Sequence, residues 1–331
     1  MRLIRVHRED LTVLRRRRGS GFSYLDATGA VVSDQAIKAR IKAMGIPPAW
    51  TEVRIAANER AHIQVLGLDE AGREQYLYHP EWTLRRDSKK QLRLKALTTS
   101  LPRLRRKVSE GLMSPAGSRE LALALAVALI DKTAMRLGRE KYLEASGTRG
   151  AGTLYARDVQ VDGAAICLKF DAKGGKKAEY CLSDARLADA ITRIKSLPGK
   201  RLLVYRDEAG KVRPIRTSAI NDYLRVISGV AISAKDFRTL HASAIAGAAL
   251  AKLEAGNTEA ARRRQMAQVA REVASVLRNT PMISRKSYIA PCLFKLFNDG
   301  KLKALWETAG AGRAGLLARE RRLSVVLASV R

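Results

Sequence analysis

Tyr288 has the most distinctive chemical surroundings in the chain. It lies in SRKSYIAP (284–291), just after LRNT (277–280), among basic and small polar residues. An isolated tyrosine is ordinarily a half-buried packing residue, because an amphipathic ring with a polar tip suits many sites. A phenol can also attack a phosphodiester, and that chemistry makes definite demands. Its reference pKa of about 10 leaves it protonated and weakly nucleophilic at neutral pH. The pentavalent transition state gathers charge on two non-bridging oxygens, which pre-placed arginine and amide N–H groups can hold. Removing one such donor typically costs about 10²–10³ in rate. The leaving 5′ oxygen is strongly basic and needs a general acid. A lysine at the tip of a mobile hairpin suits that role if neighbouring cations lower its pKa.

The sequence offers these groups in four other places. Arg136 lies in MRLGREKY, Lys173 in FDAKGGKK, Arg238 in KDFRTLHA and Asn279 in LRNT. Each alone has a bland alternative: surface arginines are common, lysines in glycine turns are usually solvated, and asparagine before Thr-Pro is a turn former. His241, three residues after Arg238, shares its face if one helix runs through both, and is read as supporting rather than catalytic. No metal constellation is visible among four scattered histidines and three cysteines without ligand spacing.

The elements that must carry these groups follow from composition and pattern. With 331 residues and 46% hydrophobic content, the chain can build one to three folded domains. Lys and Arg number 62 against 32 Asp and Glu, a formal charge of +30 that self-repels without an acidic polymer partner. Nucleic acid is the leading partner. No amphipathic stretch argues for a membrane surface instead. The longest apolar run, LALALAVALI (121–130), has ten residues where a span needs about 20, so it reads as a buried core helix. The start, MRLIRVHRED, lacks the apolar core of a secretory signal, and a cytoplasmic protein is expected.

Along the chain, FSYLDATGAVV reads as a hairpin, DQAIKARIKAMG as a helix with a glycine stop, and EVRIA, AHIQVLGL and REQYLYHP as strands. In the last, Gln75 and Leu77 share one face while Tyr76 and Tyr78 share the other. Those tyrosines either pack across strands or form a wet face able to touch phosphates and base edges. The stretch 84–107 is basic and nearly free of acids: a solvated face or a phosphate-tracking segment. A domain boundary is expected near 85–90. Beyond it, Ser114-Pro115 reads as a helix cap with proline at the first position, opening a helix from about 116 that ends near MRLGREKY. GTLYARDV, VQV, AICLKF and AEYCL read as strands, with a tight turn at VDGA (161–164). Four helical patterns follow 183. Tyr288 is expected at the start of another helix, and 310–331 as a basic helix. The expected fold is α+β. A small N-terminal antiparallel-sheet domain with helices covers 1–88, and a larger, mainly α domain with a small β-sheet covers 89–331. Cys167 and Cys181 are equidistant from Gly174, so a symmetrical hairpin sets them opposite each other. They are expected as neighbouring reduced thiols.

Taken together, these segments resemble the type IB DNA topoisomerases, closest to the bacterial and poxvirus-like branch, over most of the chain. The resemblance is carried by RxGxxKY followed by GTL (136–142, 152–154), FDAKGGK (170–176), KDFRT (235–239) and the N, T, P and S-x-x-x-Y pattern (279–288). IPPAW and GREQYLYHP resemble the family's DNA-capping domain. The resemblance implies a catalytic domain over 89–331 and a chain that relaxes supercoiled duplex DNA without ATP, metal or cofactor. Tyr288 would form a 3′-phosphotyrosyl bond, Arg136 and Arg238 would hold the non-bridging oxygens, and Lys173 would protonate the 5′ oxygen. Gln75, Tyr76 and Tyr78 would contact DNA from the cap, and Arg139 and Tyr142 from the catalytic domain. A nucleoid-associated monomer clamping the duplex is expected. Two departures stand out. Asn279 replaces a histidine found in many relatives and can donate a hydrogen bond but carry no charge. Arg278 stands where related bacterial sequences usually have glycine, either as a phosphate contact or merely exposed. A tyrosine recombinase and a non-enzymatic architectural DNA-binding protein are the competing readings.

Overall fold

The computed structural model describes residues 2–308 and 316–330. The chain divides into two compact units, Met1–Lys89 and Lys90–Arg331. Together they bear out the α+β expectation: an antiparallel sheet first, then a largely helical region with small sheets.

The first unit is built on five antiparallel strands in the order β2-β1-β3-β4-β5. These are β1 (Val13–Arg18), β2 (Gly21–Leu25), β3 (Thr51–Ile55), β4 (Ile63–Leu68) and β5 (Glu74–Tyr78). Helix α1 (Gln35–Ala43) starts where the Asp34 carboxylate accepts from the N–H groups of Ala36 and Ile37, a side-chain cap for otherwise unpaired donors. Its Ile41 packs with Val13, Val53, Ile55 and Val65, and Leu77 lies against the same cluster. The arginine run 15–18 carries no alternating hydrophobic signal, yet it is strand. A Gly19-Ser20 turn pairs it residue for residue with β2. Arg15 lies 4.1 Å over the Phe22 ring and donates to the carbonyls of Pro47 and Trp50, which ties down the IPPAW break.

Helix α2 (Pro80–Gly111) runs through the basic stretch 84–107. Leu94, Leu97, Leu101, Leu104 and Val108 fall at three- and four-residue spacing and are buried, so within the second unit this is a core helix with a charged outer face. The next helix, α3 (Arg119–Thr133), is buried continuously from Leu121 to Asp131. An apolar run on every face belongs at the centre of a core. Its cap is Ser118, whose hydroxyl accepts from Leu121 N–H, and not Ser114 as expected. Pro115 to Ser118 form a turn, with Gly117 at φ 84°, so helix formation waits for the second serine. The helix also ends earlier than expected: Ala134 adopts a left-handed conformation, and Glu140–Ser146 forms a separate helix, α4.

GTLYARDV is not a strand. It folds into two single 3₁₀ turns, Ala151–Thr153 and Ala156–Asp158: Gly152 N–H donates to Leu137 O in the loop after α3, Ala156 N–H to Lys200 O, and Thr153, Tyr155 and Asp158 donate locally. Strands β6 (Val159–Asp162), β7 (Ala165–Ala172) and β8 (Lys176–Ser183) form one antiparallel sheet with β8 at an edge. After helix α5 (Ala185–Lys195) comes a small hairpin, β9 (Val204–Arg206) and β10 (Val212–Pro214). Helices α6 (Thr217–Ser228), α7 (Ala234–Ala251) and α8 (Glu259–Leu277) match the expected helical patterns. A one-turn helix α9 (Pro281–Ile283) leads into a π-turn, Ser284–Tyr288. Tyr288 therefore ends a widened turn and precedes α10 (Pro291–Asn298), with Ile289 and Ala290 between them. Helix α11 (Leu302–Glu307) follows. Of the expected tail helix, residues 310–315 and 331 lie outside the described residues, and α12 (Leu316–Ser329) is helical.

The β7–β8 register pairs Cys167 with Cys181, as the symmetry about Gly174 requires. Their Cα atoms are 4.2 Å apart, and the sulfurs form a disulfide, against the expectation of two reduced thiols. The spacing matches an antiparallel pair that exchanges no backbone hydrogen bonds, where side chains come closest. Cys292 is free and buried.

Candidate active site

Arg136 lies in the loop after α3, and its place is set by a contact between two glycines. Ala151 N–H donates to Arg136 O at 2.9 Å, and Gly152 N–H to Leu137 O at 2.7 Å. This close approach leaves no room for a Cβ on Gly150, which would lie 2.3 Å from Arg136 O and 2.5 Å from Gly138 N. Gly138 has φ 81° and is equally crowded by Thr153 and Gly150. The two segments RLGREKY and GTL are thus one backbone-to-backbone joint that aims the Arg136 side chain.

Arg238 comes from the second turn of α7, which begins with a reciprocal cap between Ser233 and Asp236. Only 3% of Arg238 is exposed. Its guanidinium donates to Ala134 O at 2.5 Å and Leu277 O at 2.9 Å, so it joins the loop carrying Arg136 to the end of α8. The same group lies 4.8 Å from the centre of the Tyr288 ring. Tyr288 is held from behind: Ser243 Oγ donates to Tyr288 O at 3.3 Å and accepts from Ala290 N–H at 3.0 Å.

Asn279 follows the left-handed cap of α8. Its Oδ1 accepts from Arg136 Nη2. Its Nδ2 and Arg238 Nε are buried without partners. Two N–H donors are thus left unpaired: Arg238 Nε, on the guanidinium over the Tyr288 ring, and Asn279 Nδ2, on the side chain bonded to Arg136. Lys173 stands at the β7–β8 tip, next to Gly174 and Gly175, both at positive φ. Arg136, Lys173, Arg238 and Tyr288 line one open cleft of about 770 Å³ together with Arg139 and Tyr142. Six cations (Arg136, Arg139, Arg149, Lys173, Lys235, Arg238) line it, and none of its lining residues is acidic.

The charges act on one another as their spacing requires. Burial pushes the Tyr288 phenol up, but the Arg238 guanidinium, with Arg136 and Lys235, outweighs it, and the pKa is held below its ordinary value. Burial, then repulsion from Arg238, lowers that of Arg136. A dianionic transition state, or a bound phosphate, relieves this crowding of like charge.

Lys235, the first residue of the KDFRT motif, is a member of this cluster to which the sequence reading gave no role. Its spacing, three residues before Arg238 on one helix, was the available signal. His241 stays out of the cleft lining. It is buried, with Nε2 2.6 Å from Asp131 O, and burial lowers its pKa. Asp131, His241 and Glu320 bring potential ligand atoms within 4.8 Å of one another, a grouping invisible in the sequence. Arg105 already neutralises it, donating to both carboxylates with four hydrogen bonds of 2.7–2.9 Å.

In the first unit, Tyr76 and Tyr78 stack on each other at 6.0 Å, on the sheet face opposite Leu77. Gln75 donates to Asp69, and Tyr76 to Glu74, so both polar tips are engaged within the unit.

A tyrosine among cations, with a guanidinium over its ring, is an arrangement suited to phosphoryl transfer through a phenol. Comparison with known proteins agrees with it. Residues 79–292 match the model of the eukaryotic DNA topoisomerase I catalytic core. The chain belongs to the type IB DNA topoisomerase family. Residues 21–69 match the bacterial DNA topoisomerase IB N-terminal domain. A similar protein is DNA topoisomerase 1B of Acanthamoeba polyphaga mimivirus, 28% identical over 267 residues, which cover 78% of this chain and 80% of the relative. The protein is accordingly a DNA topoisomerase, an isomerase acting on DNA, and the recombinase and architectural readings fall.

Proposed function

We propose that Tyr288 is the nucleophile of strand cleavage and that the cleft around it performs the whole chemical step. The phenolic oxygen attacks the phosphorus of a DNA phosphodiester, its proton leaving to solvent. A 3′-phosphotyrosyl bond forms as the bond to the 5′ oxygen breaks, and Lys173 gives that oxygen its proton. Arg136 and Arg238 hold the two non-bridging oxygens, and the free Nδ2–H of Asn279 adds a third donor. Religation runs these steps backwards. The phosphotyrosine conserves the bond energy, so no ATP is consumed while the duplex rotates and supercoils relax.

The observation that supports this most is Arg238 over the Tyr288 ring, with Arg136 also acting on the phenol while it bonds Asn279, 143 positions away in the chain. Asn279 cannot titrate as a histidine would, so its contribution is hydrogen bonding alone. Arg139 and Tyr142, exposed on the same cleft, are suited to contact the DNA flanking the cleaved phosphate. The stacked tyrosine pair of β5, Tyr76 exposed and Tyr78 half-buried, is suited with Gln75 to DNA contact from the capping unit. We read the protein as a monomer that clamps duplex DNA on the cytoplasmic nucleoid.

The test is single-turnover cleavage of a duplex whose downstream product dissociates. Lys173→Ala should slow cleavage by about 10²–10⁴. Arg136→Ala and Arg238→Ala should each cost about 10²–10³. Asn279→Ala should cost less, with no change in pH profile. A cleavage rate that depends on pH through Asn279→His, rising with that imidazole's titration, would show that charge and not hydrogen bonding matters at this position.

A further inference from the structure

Arg278 sits immediately before Asn279 and has left-handed backbone angles, φ 52° and ψ 51°. Only Glu52 and Ala134 share positive φ among the described non-glycine residues, and Ala134 flanks Arg136 in the same site. An arginine rarely takes this conformation, and glycine takes it freely. The side chain shows what the arginine does there. It crosses to the hairpin that carries Lys173, donating to Lys177 O at 3.4 Å and to Glu179 O. These two carbonyls are alternate residues of β8, so both point off the open edge of the sheet. The guanidinium lies 4.9 Å from the centre of the Tyr180 ring. Tyr180 in turn stacks on Phe170 across the hairpin at 6.1 Å. Arg278, Tyr180, Lys173 and Arg136 line one small cleft.

We propose that Arg278 is a positioning residue that locks the Lys173 hairpin to the Asn279–Tyr288 segment. Only three residues separate β7 from β8. On the β7 side Arg149 N–H donates to Asp171 O at 2.7 Å, two residues before Lys173; on the β8 side the tip has glycines at 174 and 175, both at positive φ, and the hold is that of Arg278. Arg278 grips the strand four and six residues beyond Lys173, while its own backbone is continuous with Asn279. General acid and nucleophile segment are thereby linked to each other by one side chain. A flat two-pronged guanidinium can bond two carbonyls and stack at once, which an ammonium cannot. The inference rests on the general-acid reading of Lys173.

The experiment measures single-turnover cleavage of two duplexes, one with the ordinary 5′ oxygen at the scissile phosphate and one with sulfur bridging in its place. A thiolate is a far weaker base than an alkoxide and leaves without a proton, so the sulfur duplex no longer needs the general acid. Arg278→Gly should fold with an unchanged or higher Tm, because glycine suits the left-handed cap. It should cleave the oxygen duplex roughly 10- to 100-fold more slowly, the scale of a misplaced catalytic group. On the sulfur duplex its rate should come within about threefold of wild type, where a structural or phosphate-binding defect would persist. Arg278→Lys should behave like Arg278→Gly, since charge alone does not restore the grip. Equal deficits on both duplexes, or no deficit on the oxygen duplex, would overturn the inference. Lys173→Ala run alongside separates the two claims. If sulfur rescues Lys173→Ala but not Arg278→Gly, the positioning role alone fails; if sulfur rescues neither, the general-acid reading fails and takes this inference with it.

Discussion

Gly150→Ala tests whether backbone contact, and not side-chain chemistry alone, sets the catalytic geometry. An alanine Cβ would lie 2.3 Å from Arg136 O, 2.5 Å from Gly138 N and 2.9 Å from Gly138 Cα. All three are backbone atoms, so no rotamer change relieves the clash. Reaching an ordinary contact near 3.4 Å requires the two segments to part by about 1 Å (3.4 − 2.3). That displacement moves Arg136 and strains the Ala151-to-Arg136 and Gly152-to-Leu137 hydrogen bonds. Overpacking of this kind costs about 1–3 kcal/mol of stability. A catalytic group misplaced by about 1 Å costs about 10² in rate. Single-turnover cleavage and thermal unfolding, measured on the same preparation, separate the two effects. Gly163→Ala is the control: φ is 53°, but open space surrounds the added methyl. It should lose about 1–2 kcal/mol of stability from backbone strain and cleave at the normal rate. If folded Gly150→Ala cleaved within threefold of wild type, the joint would not be what aims Arg136.

Three further outcomes follow from the structure. Protein denatured without reductant should titrate one thiol, Cys292, and three after reduction; three at the outset would mean that Cys167 and Cys181 are not bridged. His241 has a lowered pKa, so the unfolded chain binds its proton first as pH falls. Its neutral form stabilises the fold above about pH 6.5, and that contribution is lost as pH falls through the folded value. The Tm should therefore drop more steeply below pH 6.5 in wild type than in His241→Gln, and parallel curves would refute this. Arg105→Met should destabilise the fold by about 3–5 kcal/mol, since Asp131 and Glu320 would be left as uncompensated buried charges. A denaturant midpoint unchanged in Arg105→Met would show that the cluster has another counter-charge.

What the sequence made legible was mostly local. Asp34, the glycine stop at 45 and the alternation in 51–78 define α1 and β3 to β5 because caps, turns and faces are decided by neighbours. The symmetry about Gly174 gave the hairpin register for the same reason. The arginine run of β1 was hidden because its strand character comes from pairing with β2, and no apolar alternation reveals a partner. GTLYARDV was misread because its residues favour a strand, yet its N–H groups are spent on the loop of Arg136 (Gly152), on Lys200 O (Ala156) and on its own turns. Ser114 and Ser118 are equivalent as caps in composition; the turn at Gly117 chooses between them. At the candidate site, residue types and motif wording named Tyr288, Arg136, Lys173, Arg238 and Asn279, of which the first four line one cleft. Their convergence, the grip of Arg278 on β8 and the Arg105 cluster depend on packing between distant segments, which spacing does not encode. Reduced thiols were expected from compartment alone, whereas the register brings the sulfurs within bonding reach.

The measurement closest to the central claim is to mix the protein with supercoiled plasmid, quench with denaturant, digest, and locate the DNA-linked peptide by mass spectrometry. The account predicts a nicked circle carrying protein on its 3′ phosphate, with the adduct on Tyr288, and a Tyr288→Phe protein that binds DNA but forms none. An adduct on another residue, a link to the 5′ end, or relaxation at the wild-type rate by Tyr288→Phe would contradict it.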